Sequence, residues 1–170
     1  APNLVLANRV LREAAPELSP PRAVRSSGDE PQIIETTHDR LIEQVVATVT
    51  EEARILDGGS VAVIVASGLI DEVDRALQAS GLDYGRATTA SRNITGALHP
   101  RISLVPVQLV KGLELDGSVV VEPGRIVLEE PQGLRALYVG LTRSTKRLAI
   151  VHAAPLPEVL QRKHRTRRLV

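Results

Sequence analysis

The chain has no cysteine, methionine, phenylalanine or tryptophan, and only two tyrosines among its 170 residues. Without thiols, neither a disulfide framework nor a thiolate metal site can form, which suits a reducing compartment. Without large aromatics, the core must be assembled from Val, Leu, Ile and Ala, a composition adequate for a parallel α/β sheet. No apolar run approaches the roughly 20 residues of a membrane-spanning helix. The first residues also lack the basic-then-apolar layout of a secretory leader. These absences predict a cytoplasmic protein with no membrane partner. Missing too is any G-x-x-x-x-G-K-[ST] stretch, so the chain carries no phosphate loop of its own and is not expected to hydrolyse a nucleotide alone.

What is present fits one domain, because a chain of this length can bury roughly 70% of its unfolded surface. The formal net charge of +1 conceals a division. The last ten residues, QRKHRTRRLV, hold five Arg/Lys and no acid, so the first 160 carry 16 basic against 20 acidic residues. A mildly acidic body argues against a broad nucleic-acid surface. The basic tail reads either as a solvated, frayed end or as a phosphate contact. His38, His99, His152 and His164 have no metal-ligand spacing, so no metal site is expected.

Along the chain, a helical rhythm over 4–14 ends at Pro16, and a Pro/Ser/Gly-rich connector follows. QIIET reads as a short strand, and Thr37 is placed to cap a helix running to Arg54 with Leu41, Ile42, Val45, Val46 and Val49 on one face. SVAVIVA from Ser60 is a strand buried on both faces, and Ser67 is placed to cap a helix with Leu69, Ile70, Val73 and Leu77 inward, ending at Gly81. Residues 82–99 read as irregular. RISLVPVQLV and SVVVE read as strands, GLRALYVGL as a helix and RLAIVH as the last strand. Strands alternating with helices predict a mainly parallel, doubly wound sheet.

Three stretches bear on chemistry. IDEVD at 70–74 has an acidic pair like one that holds magnesium, but Asp71 and Glu72 lie in a first helical turn, where the dipole favours acids. LVKGLELDGSVVVEP at 109–123 turns at Lys111-Gly112 and carries Glu114 and Asp116 into an apolar strand. Such a loop is either solvated or lies at the mouth of the sheet, where open α/β folds bind ligands. In GLTRSTKR, Arg143 ends an amphipathic helix, as a cation favoured by the dipole or as a guanidinium aimed at phosphate.

KGLELD, followed about 25 residues later by ALYVGLTRSTKRLAIVH, resembles the fifth and sixth motifs of UvrD/Rep-type superfamily 1 helicases. The similarity covers residues 105–153 directly. VKGLELDGSVVVEP and PQGLRALYVGLTR are most similar to the HelD-type branch, actinobacterial ATPases acting on RNA polymerase. The resemblance implies a second, C-terminal RecA-like domain of P-loop NTPase type, a mainly parallel sheet with helices on both faces. The implied layout is a leading helix and connector at 1–31, an α/β core at 32–153, and a C-terminal helix and basic tail at 154–170.

The resemblance also implies an ATP site shared with an N-terminal RecA-like domain of the same protein, which would supply the phosphate loop and hold Mg2+. The chain would then be one half of a larger ATPase, inactive by itself. Arg143 matches the catalytic arginine finger at the γ-phosphate, and Thr142 the residue that helps place it. Glu114 matches a ribose-side glutamate, and Gly112 the turn that lets the backbone approach the nucleotide. Lys111 matches the motif lysine, and with Gln108 falls where nucleotide state is coupled to a nucleic-acid strand. Tyr138 reads as helix packing.

The sequence departs from the helicase pattern at Pro106, Val107, Gln108 and Leu109, where a Thr-x-His-Ser-like stretch is usual, and at Leu115, where Phe is common. Almost no aromatic is available to stack bases, and each such platform is worth roughly 1–3 kcal/mol per base. Only 27 residues, 81–107, lie where processive members insert a large domain. These departures favour RNA polymerase over single-stranded DNA as the partner. A conventional DNA helicase or repair translocase is the alternative, and a non-enzymatic binding module is an alternative of another class.

Overall fold

A computed structural model describes residues 30–88 and 101–161. The helical rhythm at 4–14, its connector, His99, His164 and the basic tail lie outside the described residues. The layout proposed for 1–31 and 154–170 therefore stays an expectation, apart from a helical turn at 158–161.

The strands are β1 (Gln32–Glu35), β2 (Val61–Val65), β3 (Gly85–Arg86), β4 (Ile102–Pro106), β5 (Leu115–Val121) and β6 (Ser144–His152). They form one sheet in the order β1-β6-β5-β2-β4-β3, and every adjacent pair is parallel. β2 lies at the centre with all five residues buried, as its unbroken apolar run requires when helices cover both faces. The helices are α1 (Leu41–Ile55), α2 (Ile70–Ser80), α3 (Pro123–Glu129) and α4 (Gly133–Leu141).

The alternation of side chains along each strand divides the core in two. Val61, Val63, Val119 and Val151 pack with Val45 and Val49 of α1 and with Val73 and Leu77 of α2. Ala62, Ile64, Val120 and Ile150 face the other way, onto Ile126 of α3 and Leu137 and Leu141 of α4. The expected architecture, a parallel sheet with helices on both faces, is the one observed.

Several local expectations are corrected. Thr37 makes no side-chain cap; it precedes a 3-10 turn at His38–Arg40, and the α-helix starts only at Leu41. Ser67 caps no helix either, because it lies inside a 3-10 turn, Ser67–Leu69, and its hydroxyl bonds to distant side chains. The strand read through Val110 stops at Pro106, which has no N–H to extend the ladder, and a 3-10 turn, Val107–Leu109, follows. A two-residue strand, β3, lies within the stretch read as irregular. α3 had no counterpart in the periodicity; it begins with Pro123 at its first position, where proline's missing N–H costs nothing. Gly81 ends α2 as expected, at φ +80°.

Candidate functional site

The two motifs meet at the amino ends of β5 and β6. Leu115 pairs with Ser144 in the parallel register, and the Leu115 N–H donates to the carbonyl of Arg143 at 3.1 Å. Glu114 and Arg143 are thus the residues immediately before two adjacent strands. This corrects the expectation that Glu114 lies at the mouth of the sheet, at the carboxyl ends of its strands. β4 and β5 are parallel, so the connection after Pro106 must return to the opposite edge before β5 begins. Lys111 and Gly112 occupy that return in a turn closed by Leu113 N–H to the Val110 carbonyl at 3.0 Å, with Gly112 at φ +86°.

Arg143 is half-buried and folds back over the end of α4. Its Nε donates to the Val139 carbonyl and one Nη to the Thr142 hydroxyl, each at 3.0 Å. The Thr142 hydroxyl lies 3.1 Å from the carbonyls of both Tyr138 and Val139. Thr142 and Arg143 together therefore satisfy carbonyls that a helix end leaves unpaired. The dipole account of Arg143 holds in this geometry. Its Nη1 has no partner among the described residues, so the guanidinium retains donors for an oxyanion. Glu114 is exposed and makes no ion pair among the described residues. Burial pushes the Tyr138 hydroxyl above its usual pKa, and the Arg143 charge opposes that shift.

Asp116, the other acid of the loop, is structural. Its carboxylate accepts the Ser60 N–H at 2.9 Å and the Ser60 hydroxyl at 3.3 Å, and Lys146 lies 3.5 Å away. The bond from the Ser60 backbone, more than any other factor, holds this carboxyl below the usual aspartate range. Asp71 and Glu72 open α2, and Asp71 pairs with Arg86 at 3.1 Å. Among the described residues no group of three or more His, Asp or Glu is placed to hold a metal ion, and no described helix is long and apolar enough to cross a membrane.

Gln108 separates from the other candidates. It follows the carboxyl end of β4, where its Oε1 lies 3.1 Å from the Ser67 hydroxyl, and it lines a shallow pocket of about 260 Å³ with Ser67, Arg86 and Thr88. Sequence reasoning missed the acids beside it. The Ser67 N–H and hydroxyl each donate to Glu130 at 3.0 Å, and the Gly68 N–H donates to Glu129 at 3.1 Å. No local pattern indicates contacts that span more than 60 residues.

No protein-family model matches the chain, and no curated protein matches it in sequence. Solved structures do. The C-terminal domain of a possible DNA helicase from Lactobacillus plantarum WCFS1 superposes with a TM-score of 0.67 at 23% identity, covering 92% of this chain and 89% of that one. Arterivirus nonstructural protein 10, a helicase solved in complex with DNA, superposes with a TM-score of 0.51 at 15% identity, covering 91% of this chain and 35% of that one. At these identities the likeness is one of fold, and the fold is the RecA-like one of helicase C-terminal domains.

Proposed function

We propose that the chain is the C-terminal RecA-like half of a helicase-like ATPase, with Arg143 as the arginine finger of an ATP site completed by an N-terminal RecA-like domain. The observation that carries this reading is the Leu115–Arg143 hydrogen bond, which draws both motifs to one edge of the sheet. There a guanidinium with open donors and a Glu114 carboxylate, neither of them in an ion pair among the described residues, precede neighbouring strands.

In this reading Arg143 exchanges its bond to the Val139 carbonyl for γ-phosphate oxygens, and its fixed positive charge offsets negative charge that develops in the transition state. Thr142 holds the guanidinium at the helix end, Gly112 lets the backbone approach, and Glu114 accepts from ribose hydroxyls. The N-terminal RecA-like domain would supply the phosphate loop and the Mg2+ ligands. Hydrolysis then moves one RecA-like domain against the other.

The task favoured is remodelling or recycling of RNA polymerase, as in the HelD-type ATPases that the motif text resembles. Neither tyrosine is placed as a base-stacking platform: Tyr84 is tied to Asp74 and Tyr138 packs on the core. A second reading, an ATP-driven DNA translocase, is favoured by the structural neighbours, one a possible DNA helicase and one a helicase bound to DNA.

Steady-state ATPase of the full-length protein, native and Arg143→Ala, tests both parts. The variant is expected to lose about 10²-fold or more in kcat with little change in ATP affinity. Polymerase is expected to stimulate the native enzyme more than single-stranded DNA does, and the reverse order would establish the translocase. An unchanged rate in a folded variant would leave Arg143 as a helix-end cation only.

A further inference from the structure

The carboxyl edge of the sheet, opposite the Arg143 edge, is closed by the chain's own acids. Open parallel sheets bind ligands outside the carboxyl ends of their strands, beside the point where strand order reverses. Here that point lies between β2 and β5, because the chain passes from β2 to β3 and back to β4 on one side and from β5 to β6 on the other. Ser67 and Gly68 follow β2 there and present backbone N–H groups of the kind that take phosphate oxygens. Both N–H groups are already engaged by the carboxylates of Glu130 and Glu129.

Glu129 also pairs with Arg125 through its second oxygen, which neutralises the one cation of α3. The packing is close: a Cβ on Gly68 would lie 2.6 Å from both the Arg125 guanidinium and the Glu129 carboxylate. The Ser67 hydroxyl also lies 3.1 Å from Gln108 Oε1. A second cation at this edge, Arg86, is committed to Asp71 and Asp74. A phosphate chain approaching Ser67 and Gly68 therefore meets two carboxylates and no uncommitted N–H there, and Arg125 and Arg86 are already paired.

We infer that Glu129 and Glu130 are specificity-determining residues that exclude single-stranded nucleic acid from the carboxyl edge. The inference rests on the reading of the chain as a helicase-like half and sharpens its partner choice. Carboxylates that imitate phosphate at these amides select against a polynucleotide by charge repulsion.

The test is fluorescence anisotropy of a labelled 20-nucleotide oligothymidylate with the 170-residue chain at low and moderate salt. Glu129→Gln/Glu130→Gln removes both charges at constant size and releases Arg125. Glu51→Gln/Asp57→Asn, on exposed acids at the end of α1, just before the amino end of β2, makes the same change in net charge at the opposite ends of the strands and likewise releases an arginine, Arg54. The edge variant is expected to bind at least tenfold more tightly than native, with a steeper salt dependence, and the control within twofold of native. Equal affinity of the edge variant and the control would overturn the inference. Failure of the Arg143 reading would show separately, as unaltered ATPase in Arg143→Ala, because the two sites lie at opposite ends of the strands.

Discussion

Leu115 and Arg143 are joined by one backbone hydrogen bond, Leu115 N–H to the Arg143 carbonyl at 3.1 Å, that extends the β5–β6 ladder one step below its first side-chain pair. The separation between the two motifs is therefore set by sheet geometry rather than by side-chain reach. What delivers Leu115 to that position is the turn at Gly112, whose φ of +86° an L side chain adopts only under strain. Gly112→Ala is expected to destabilise the chain by about 1–2 kcal/mol, read as a lower urea midpoint at unchanged m-value. An unshifted midpoint would mean that the turn tolerates a side chain and does not fix the register.

Glu52 of α1 and Arg147 of β6 form a buried ion pair at 2.9 Å, with their side chains 3% and 12% exposed. Glu52 Oε1 has no hydrogen-bond partner among the described residues, so the carboxylate depends heavily on this arginine. Arg147→Met is expected to cost roughly 3–5 kcal/mol, because it strands a buried charge. Glu52→Leu/Arg147→Met is expected to recover most of that loss, since apolar replacement of a buried pair is often neutral. A double-mutant cycle measures the coupling, and additive losses would refute the dependence.

The folded elements most legible in the sequence are those whose apolar pattern is long. β2 is one unbroken apolar run, and α1, α2 and α4 each show a face that the structure buries at the expected positions. α3 and β3 were not legible, because a seven-residue helix opening on Pro-Gly is too short to show an apolar face and two residues carry no period. The caps expected of Thr37 and Ser67 failed for a different reason. Ser67 finds tertiary partners 41 and 63 residues away, and these outcompete a local bond. At the candidate site, Arg143 and Glu114 were legible by motif as candidates only. Their edge of the sheet was not, because nothing in an eight-residue connection shows where the next parallel strand starts. Glu129 and Glu130 had no motif to mark them, and only the fold brings them to Ser67 and Gly68.

Ser118 lies in the middle of β5, 1% exposed, and its hydroxyl has no partner among the described residues. Burial has removed the hydroxyl's water without supplying another hydrogen bond, a penalty that deletion should relieve. Ser118→Ala is expected to raise stability by about 1 kcal/mol, seen as a higher urea midpoint. A loss of stability would show that the hydroxyl is satisfied in solution.

Tyr84 ties the short β3 edge to α2: its hydroxyl donates to the Asp74 carboxylate and lies 2.9 Å from the Asp74 carbonyl. Burial first, then the bond to Asp74 and that residue's charge, push the phenol up to about 12 from its ordinary 10.0, with Arg86 opposing. The folded state thus prefers the protonated phenol more strongly than the unfolded chain does. Its contribution to stability is complete below pH 10 and is lost as pH rises toward 12. Urea midpoints of native protein and Tyr84→Phe, compared at pH 8 and pH 11, isolate this group from the lysines, which titrate alike in both. At pH 8 the native chain is expected to be the more stable by about 1 kcal/mol, the ordinary worth of a hydrogen bond. At pH 11 the gap is expected to narrow, because only the native chain has a phenol to ionise. A gap that stays constant across this range would mean that the phenol titrates at its ordinary pKa and that Asp74 does not hold its proton.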